Sequence, residues 1–443
     1  MQHKHASAIL ALTLFAPFGR PALAQDSVEA GFIGQSLPYP GLSVTGTLAG
    51  GDIIAFDGLS IDRFSADGDF VKNLGSFGAF VFNGCFAIAP DETYAIVGET
   101  STHDIFKVPL DGSGMTFLTN MVYNYNAAFA PSGELFVSAA VCGFGCGNDI
   151  IEVDLQSGAQ RKVAAVQGPS GPIAFDTLGN MYYASVDAGF PPPLASTEIL
   201  IFLAADISTA NCGTGTCLTE ISALTFATGY DGASDLVFDS GTGFAYLAEN
   251  NFSNGANRIW RVTGGAASPN DILVDGVAFN WISNLEFRAS STAATFEGYQ
   301  PAAVATIHYS STDFFSAWTR YQVQPLRAGL GLSGAGATGP GIGSFDVTGG
   351  VPGGAALFFF GPTALKGGSE TAYSLAGIGS PLFSDLNIAN LGVLPGMIAS
   401  DGVGAASYGF TNPGGIAGLL SVQALLIDSN MATVIGATPS VDL

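Results

Sequence analysis

Basic residues are scarce in this chain. Lysine and arginine number 13 against 36 aspartates and glutamates, a formal net charge of −23 over 443 residues. A balance this negative excludes partners held through phosphate, since nucleic acid and anionic membrane surfaces would be repelled. Charge of either sign is sparse, at 11% of residues, which excludes bundles and coiled coils built from Glu, Lys and Arg repeats. Long apolar runs are missing too. The longest candidate, Ala355 to Phe360, is broken by Gly361-Pro362, well short of the ~18 residues that cross a membrane as a helix. Histidine occurs only as His3, His5, His103 and His308, so a Ser-His-Asp arrangement has little to draw on. What is plentiful is apolar side chains, at 48%, and glycine, at 60 residues. That combination excludes bulk disorder and points to an all-β chain of short strands and tight turns, long enough for two or three domains.

Residues 1–24 carry the marks of an export signal. Lys4 lies between His3 and His5, Ala8 to Phe18 is apolar, and Ala22-Leu23-Ala24 is a small-x-small cleavage site. Cleavage there would leave 11 basic and 36 acidic residues, a charge of −25. The expectation is a secreted, extracellular or cell-surface protein with no membrane span. Five cysteines suit that compartment. Cys142 with Cys146, and Cys212 with Cys217, are close pairs separated by glycine-rich stretches. Each is expected to close a small disulfide loop, worth about 2 kcal/mol or less. Cys85 is left over and reads as a buried apolar residue.

One phrase recurs along the chain: an apolar strand, a small turn with Gly or Asp, then a β-branched or aromatic strand. It stands at Ala87–Val97, Ala128–Val137, Ala174–Tyr183 and Leu236–Tyr246, with weaker copies at Thr47–Ile54 and Leu285–Thr292. Anchored on Thr47, Ile88, Phe129, Phe175, Phe238 and Phe287, the copies lie 41, 41, 46, 63 and 49 residues apart. Units of about 40–50 residues with several short strands each predict a β-propeller, here with six blades. The 63-residue interval holds Phe190-Pro-Pro-Pro193 and the Cys212–Cys217 loop, so the fourth blade carries long insertions. The expected division is a linker over 25–40, a six-bladed propeller over 41–322 and a Gly-rich antiparallel β-sandwich over 323–443. The last 119 residues hold 25 of the glycines, yet keep alternating strands such as Gly343–Thr348, Ala355–Phe360 and Leu419–Ile427.

The blade phrases resemble those of the six-bladed NHL and gluconolactonase-like (senescence marker protein) propellers. The residues are Asn83-Gly84 with Pro90-Asp91 and Tyr94; Gly168–Gly171 with Ala174–Asp176, Gly179-Asn180 and Tyr182; and Gly232–Leu236 with Asp239. The last 115 or so residues resemble a module that ends many large secreted proteins of environmental bacteria, through Pro352–Gly361, Asp401–Gly404 and Val422–Asp428.

A propeller binds ligands at a mouth of its channel, where the inner strands begin. The starts here carry Asn83, Asn124, Asn126, Ser170, Asp231, Asp235, Asn280 and Asn284. Converging amide and carboxylate oxygens suit Ca2+ or another divalent cation, although Asn and Asp at such places also serve simply to cap turns. In the gluconolactonase-like family a ring of Asn, Asp and one Glu holds a catalytic divalent metal, and the resemblance implies Asn83, Asn126 and Asp231 as its counterparts. Asn124, Ser170, Asp235, Asn280 and Asn284 are then ligand-binding positions. The family's Glu should lie on the first inner strand, but Pro40–Thr45 contains no acid, which counts against lactone hydrolysis. The leading expectation is therefore a secreted propeller that binds a small molecule, a glycan or a protein at its mouth, with calcium among the candidate ligands. The alternatives are a metal-dependent lactonase or related hydrolase, and a structural extracellular protein. Gly329–Gly334 spells G-x-G-x-x-G but lacks the strand–helix setting of a nucleotide site.

Overall fold

The computed structural model describes residues 26–28, 32–37, 39, 44–140, 142, 147–168, 170–185, 197–239, 242–251, 254–264, 271–289, 296, 305–312, 318–325, 329–334, 340–363, 371–373, 382–384, 386, 392–412, 414, 419–427, 429, 434–438 and 440–443. The export-signal reading over residues 1–24, Cys146 and the Pro-rich stretch 190–193 lie outside them.

Six antiparallel sheets follow one another in the chain. Blade 1 comprises Val44–Thr47, Ile53–Phe56, Ser60–Phe64 and Phe70–Ser76. Blade 2 comprises Asn83–Ile88, Tyr94–Glu99, Asp104–Pro109 and Thr116–Asn120, and blade 3 Asn124–Phe129, Leu135–Ala140, Asn148–Val153 and Gln160–Val166. Blade 4 comprises Ile173–Phe175, Met181–Tyr183, Thr197–Phe202 and Leu224–Tyr230. Blade 5 begins with Asp235–Asp239, Phe244–Asn250, Asn257–Val262 and Asp271–Asp275, and blade 6 with Trp281–Ala289, Ala305–Thr312 and Thr319–Pro325. The first strand of each blade touches the first strand of the next, and Trp281–Ala289 touches Val44–Thr47. The ring is therefore closed, and the fold is the expected six-bladed propeller. The turns behave as their residues require. In the hairpin of blade 3, Gly133 sits at φ +100°, where a side chain would be strained.

Apolar residues are buried between neighbouring blades. One cluster joins blades 1 and 2 through Phe56, Ile61, Val97 and Val108. Others join 2 to 3, 3 to 4, 4 to 5 and 5 to 6. Cys85 is a free thiol buried in the second of these, and burial pushes it up to about 12. Between blades 6 and 1, Leu37 and Tyr39, just beyond the segment that completes blade 6, pack on Ile53, Ala55 and Phe64, and polar contacts lie beside them. The Thr47 N–H donates to Glu286 Oε2 at 2.6 Å, and Arg320, 1% exposed, donates to the same oxygen at 3.1 Å. His308 bridges the Thr47 and Thr306 hydroxyls at 3.1 and 3.0 Å. Burial, with Arg320 and Arg288 nearby, drives its pKa down to about 3, so it stays neutral.

The stretch expected as a linker, 25–40, supplies strands. Phe32–Ser36 pairs with Thr319–Pro325 as the outer strand of blade 6, and Ser27–Val28 adds a fifth strand to blade 5. The physical reason is that, among the described residues, blade 6 has three consecutive strands of its own, which leaves an edge for another strand to pair. Asp26 secures this segment: its carboxylate accepts from the Val277 N–H and the Tyr309 hydroxyl, each at 3.0 Å.

The insertion after the third strand of blade 4 is ordered. It contains the helix Ala204–Thr209 and the Cys212–Cys217 disulfide. It bonds along the outer strand of blade 3, with the Cys212 N–H donating to Lys162 O and the Ala165 N–H to Leu218 O. It therefore covers a sheet edge. Beyond the ring, two antiparallel sheets share one apolar cluster. One contains Gly329–Gly334, Gly341–Thr348 and Ala406–Asn412, and the other Ala355–Pro362, Gly392–Ala399, Leu420–Ile427 and Val434–Ala437. Gly329–Gly334 is a strand here, so it cradles no nucleotide.

Replacing Asp26 with alanine would leave the buried Tyr309 hydroxyl and the half-buried Val277 N–H without an acceptor. At about 1–3 kcal/mol for each such group, Asp26→Ala is expected to lower unfolding stability by roughly 2–4 kcal/mol, and Asp26→Asn by less. Denaturant titration measures this, and an Asp26→Ala chain as stable as the native one would show that the segment does not fasten the ring.

Candidate functional site

Because every blade is wired in the same order, all six inner strands run the same way along the channel, and their first residues surround one mouth. The channel encloses a cavity of about 750 Å³, lined by residues of all six inner strands, from Gly46 in blade 1 to Glu286 in blade 6. Of the candidate residues, Asn83, Asn124, Asn126, Ser170, Asp235 and Asn284 line it. Asp231 and Asn280 lie outside its lining. Asp231 is exposed on the loop before blade 5 and accepts a hydrogen bond from Asn251. Asn280 donates to the Ser311 hydroxyl at 3.4 Å.

Most of the lining polar groups bind the next blade. Asn124, 1% exposed, accepts from the Cys85 N–H at 2.9 Å and donates to Glu99 O at 3.0 Å and Met121 O at 3.1 Å. The fit is tight enough that a Cβ at Gly84 or Gly98 would lie 2.0 or 2.1 Å from its Oδ1. Asn126 accepts from the Ile173 N–H of blade 4 at 3.1 Å and donates across the channel to Asp235 at 3.5 Å. Asp235 accepts from its neighbour, the Leu236 N–H, at 2.8 Å and from the Leu285 N–H of blade 6 at 2.7 Å. Tyr125, whose hydroxyl donates to Ser234 O at 3.1 Å, joins blade 3 to blade 5. Ser170 differs. Its hydroxyl is buried away from the cavity surface and has no hydrogen-bond partner among the described residues.

Electrostatically the cavity is nearly neutral. Burial raises the Asp235 carboxyl to about 7, against the lowering effect of its two N–H donors and Arg320. Glu286, the other acid in the lining, is paired with Arg288 and Arg320. Lysine, arginine and histidine are absent from the lining among the described residues. Tyr123, Trp281 and Trp318, not singled out in the sequence as site residues, complete the mouth. Tyr123 at φ +48° and Asn284 at φ +54° hold left-handed backbone there.

These residues do not fit a resident divalent cation, which wants about six or more oxygens. Both Asp235 oxygens accept N–H bonds, Asn126 turns its amide N–H rather than its oxygen toward Asp235, and Glu286 is neutralised. Blade 1 offers Gly46, where even a Cβ would lie 2.5 Å from Ile88 and 2.6 Å from Phe86. Among the described residues no group of three or more His, Cys, Asp or Glu side chains is arranged to hold a metal.

No protein-family model matches the chain, and no curated protein matches it. Solved structures with a similar outline include a gluconolactonase of Xanthomonas campestris, 12% identical, covering 68% of this chain and 94% of that one with a TM-score of 0.45. A putative gluconolactonase is 13% identical, covering 68% and 96% with a TM-score of 0.42. A luciferin-regenerating enzyme is 10% identical, covering 67% and 96% with a TM-score of 0.46. Likenesses this distant carry no argument about activity, and the propeller fold rests on this chain's own sheets.

The Asp235 carboxyl makes stability depend on pH. Its folded pKa of about 7 lies above the ordinary 3.8, so the folded chain holds the extra proton between those values. The stabilisation is complete below the lower value and is lost as pH rises through the upper one. Asp235→Asn cannot ionise, so it should gain stability relative to the native chain as pH rises from about 4 to 8, by up to roughly 4 kcal/mol at about 1.4 kcal/mol per pKa unit. Unfolding titrations across that range measure the difference, and a constant difference would contradict the burial of an ionisable Asp235.

Proposed function

We propose that this chain is a ligand-binding propeller, exported from the cell, that takes a small organic molecule into its central channel. The supporting observation is the cavity of about 750 Å³ at the convergence of six inner strands. It falls within the ~300–1,000 Å³ typical of small-molecule sites, which are concave, mostly apolar and provided with a few polar groups. Aromatic side chains at the mouth supply contact area, and Asn83, Ser283 and Asn284 supply polar groups beside them. The arrangement supports binding over hydrolysis. Asn126 and both Asp235 oxygens are engaged with backbone N–H groups, and Glu286 with arginines.

Melting of the native chain against a collection of small molecules, beside Ser283→Trp, tests this reading. Ser283 lines the cavity, and tryptophan there would occupy ligand space. Ligands that bind in the channel should raise the melting temperature of the native chain by mass action and not that of Ser283→Trp. If no compound separates the two, the channel is not a binding site. In the same assay calcium and EDTA should leave the melting temperature unchanged; a clear rise with calcium would restore a metal to the channel.

A further inference from the structure

We infer that the channel is selective for a neutral amphipathic molecule, its polar end at the mouth and its apolar end directed down the channel. This deepens the channel-binding reading and rests on it. The polarity of the lining changes along the inner strands. Near their starts the lining presents Asn83, Ser170 and Ser283, beside Tyr123, Trp281 and Trp318. At their far ends it presents Phe86, Ile88, Ala128, Phe238 and Phe287. All five of these far-end side chains are only half-buried, although they lie inside a closed ring. They leave apolar surface that a ligand chain can remove from water. Gly46 contributes no side chain at that end, and Phe86 and Ile88 reach across into the space beside it.

Charge excludes the other classes. An anionic head would enter a chain of net charge −23 and find no basic side chain in the described lining. A cationic head would find Asp235 engaged by two N–H groups and Glu286 paired with Arg288 and Arg320. A molecule polar throughout would leave the far-end phenylalanines wet. A neutral head with hydroxyl or carbonyl groups suits the uncharged Asn83, Ser283 and Asn284 side chains of the lining, amides and a hydroxyl that can donate and accept.

The test is a calorimetric titration of the full chain with methyl, butyl and hexyl β-D-glucopyranosides, with hexanoate and hexylamine as charged controls. Each added CH2 should tighten binding by about fourfold, as burial of a methylene does. Hexanoate and hexylamine should bind at least tenfold more weakly than hexyl glucoside. Ser283→Ala should weaken the whole glucoside series by a similar factor and leave its chain-length dependence intact. Glucosides that bind equally at every chain length, or a charged control that binds best, would overturn the polarity assignment. If only charged or wholly polar compounds bind, and Ser283→Trp abolishes that binding, the assignment fails while channel binding stands. If no compound of any kind is sensitive to Ser283→Trp, both fall.

Discussion

The channel exists only if blade 6 meets blade 1, and that seam sets a buried group of polar contacts beside a small apolar cluster of Tyr39, Ile53 and Ala55. A backbone N–H of Thr47 and the guanidinium of Arg320 converge on one Glu286 oxygen, while neutral His308 spans two threonine hydroxyls behind them. Such a set gains little net energy over apolar packing, because burying its charges costs solvation. It demands one geometry, however, and a misplaced partner would strand a buried charge. The strand Phe32–Ser36 then covers the open edge of blade 6 with backbone hydrogen bonds to a segment nearly three hundred residues away in the chain. Closure is thus a long-range event, with the loop-closure entropy such pairing opposes.

The same economy shapes the site. Amides and carboxylates at the starts of the inner strands look, in sequence, like a ring of metal ligands. In the folded ring Asn124, Asn126 and Asp235 each satisfy backbone groups of a neighbouring blade. Without them those N–H groups would be buried and unpaired. Work of this kind consumes hydrogen-bonding capacity and leaves the cavity close to neutral. What remains for a ligand is an uncharged polar rim with Ser283, the aromatic mouth and the apolar far end.

Much of the ring was legible in the chain. Each repeat anchor, from Thr47 to Phe287, lies at or near the far end of an inner strand, because alternation and turn residues report local pleat and hairpin geometry. The strands at 27–36 were not legible as such. Their pairing partners lie far off in sequence, and only counting the strands of the sixth unit signals that one must come from elsewhere. Among candidate site residues, the pattern of polar strand starts located six members of the cavity lining. It also included Asp231 and Asn280, which fall short of the channel, since a few residues decide whether a loop position faces inward. Glu286 was missed because an acid in mid-strand reads as a solvent-facing residue. Trp281 and Trp318 were missed because an aromatic beside a blade reads as packing; their positions at the mouth-side ends of blade 6 strands are the signal that could have found them.

Hydrogen exchange at the backbone amides of Phe32–Ser36 measures closure most directly. The account predicts that the hydrogen-bonded amides of this strand exchange only through the global unfolding that also exposes the blade cores, so their opening free energy matches that of Ile96 or Val137. Exchange through local fraying, with protection far below the cores, would mean that the ring stands open at blade 6 and that the channel is not the enclosed cavity on which binding depends.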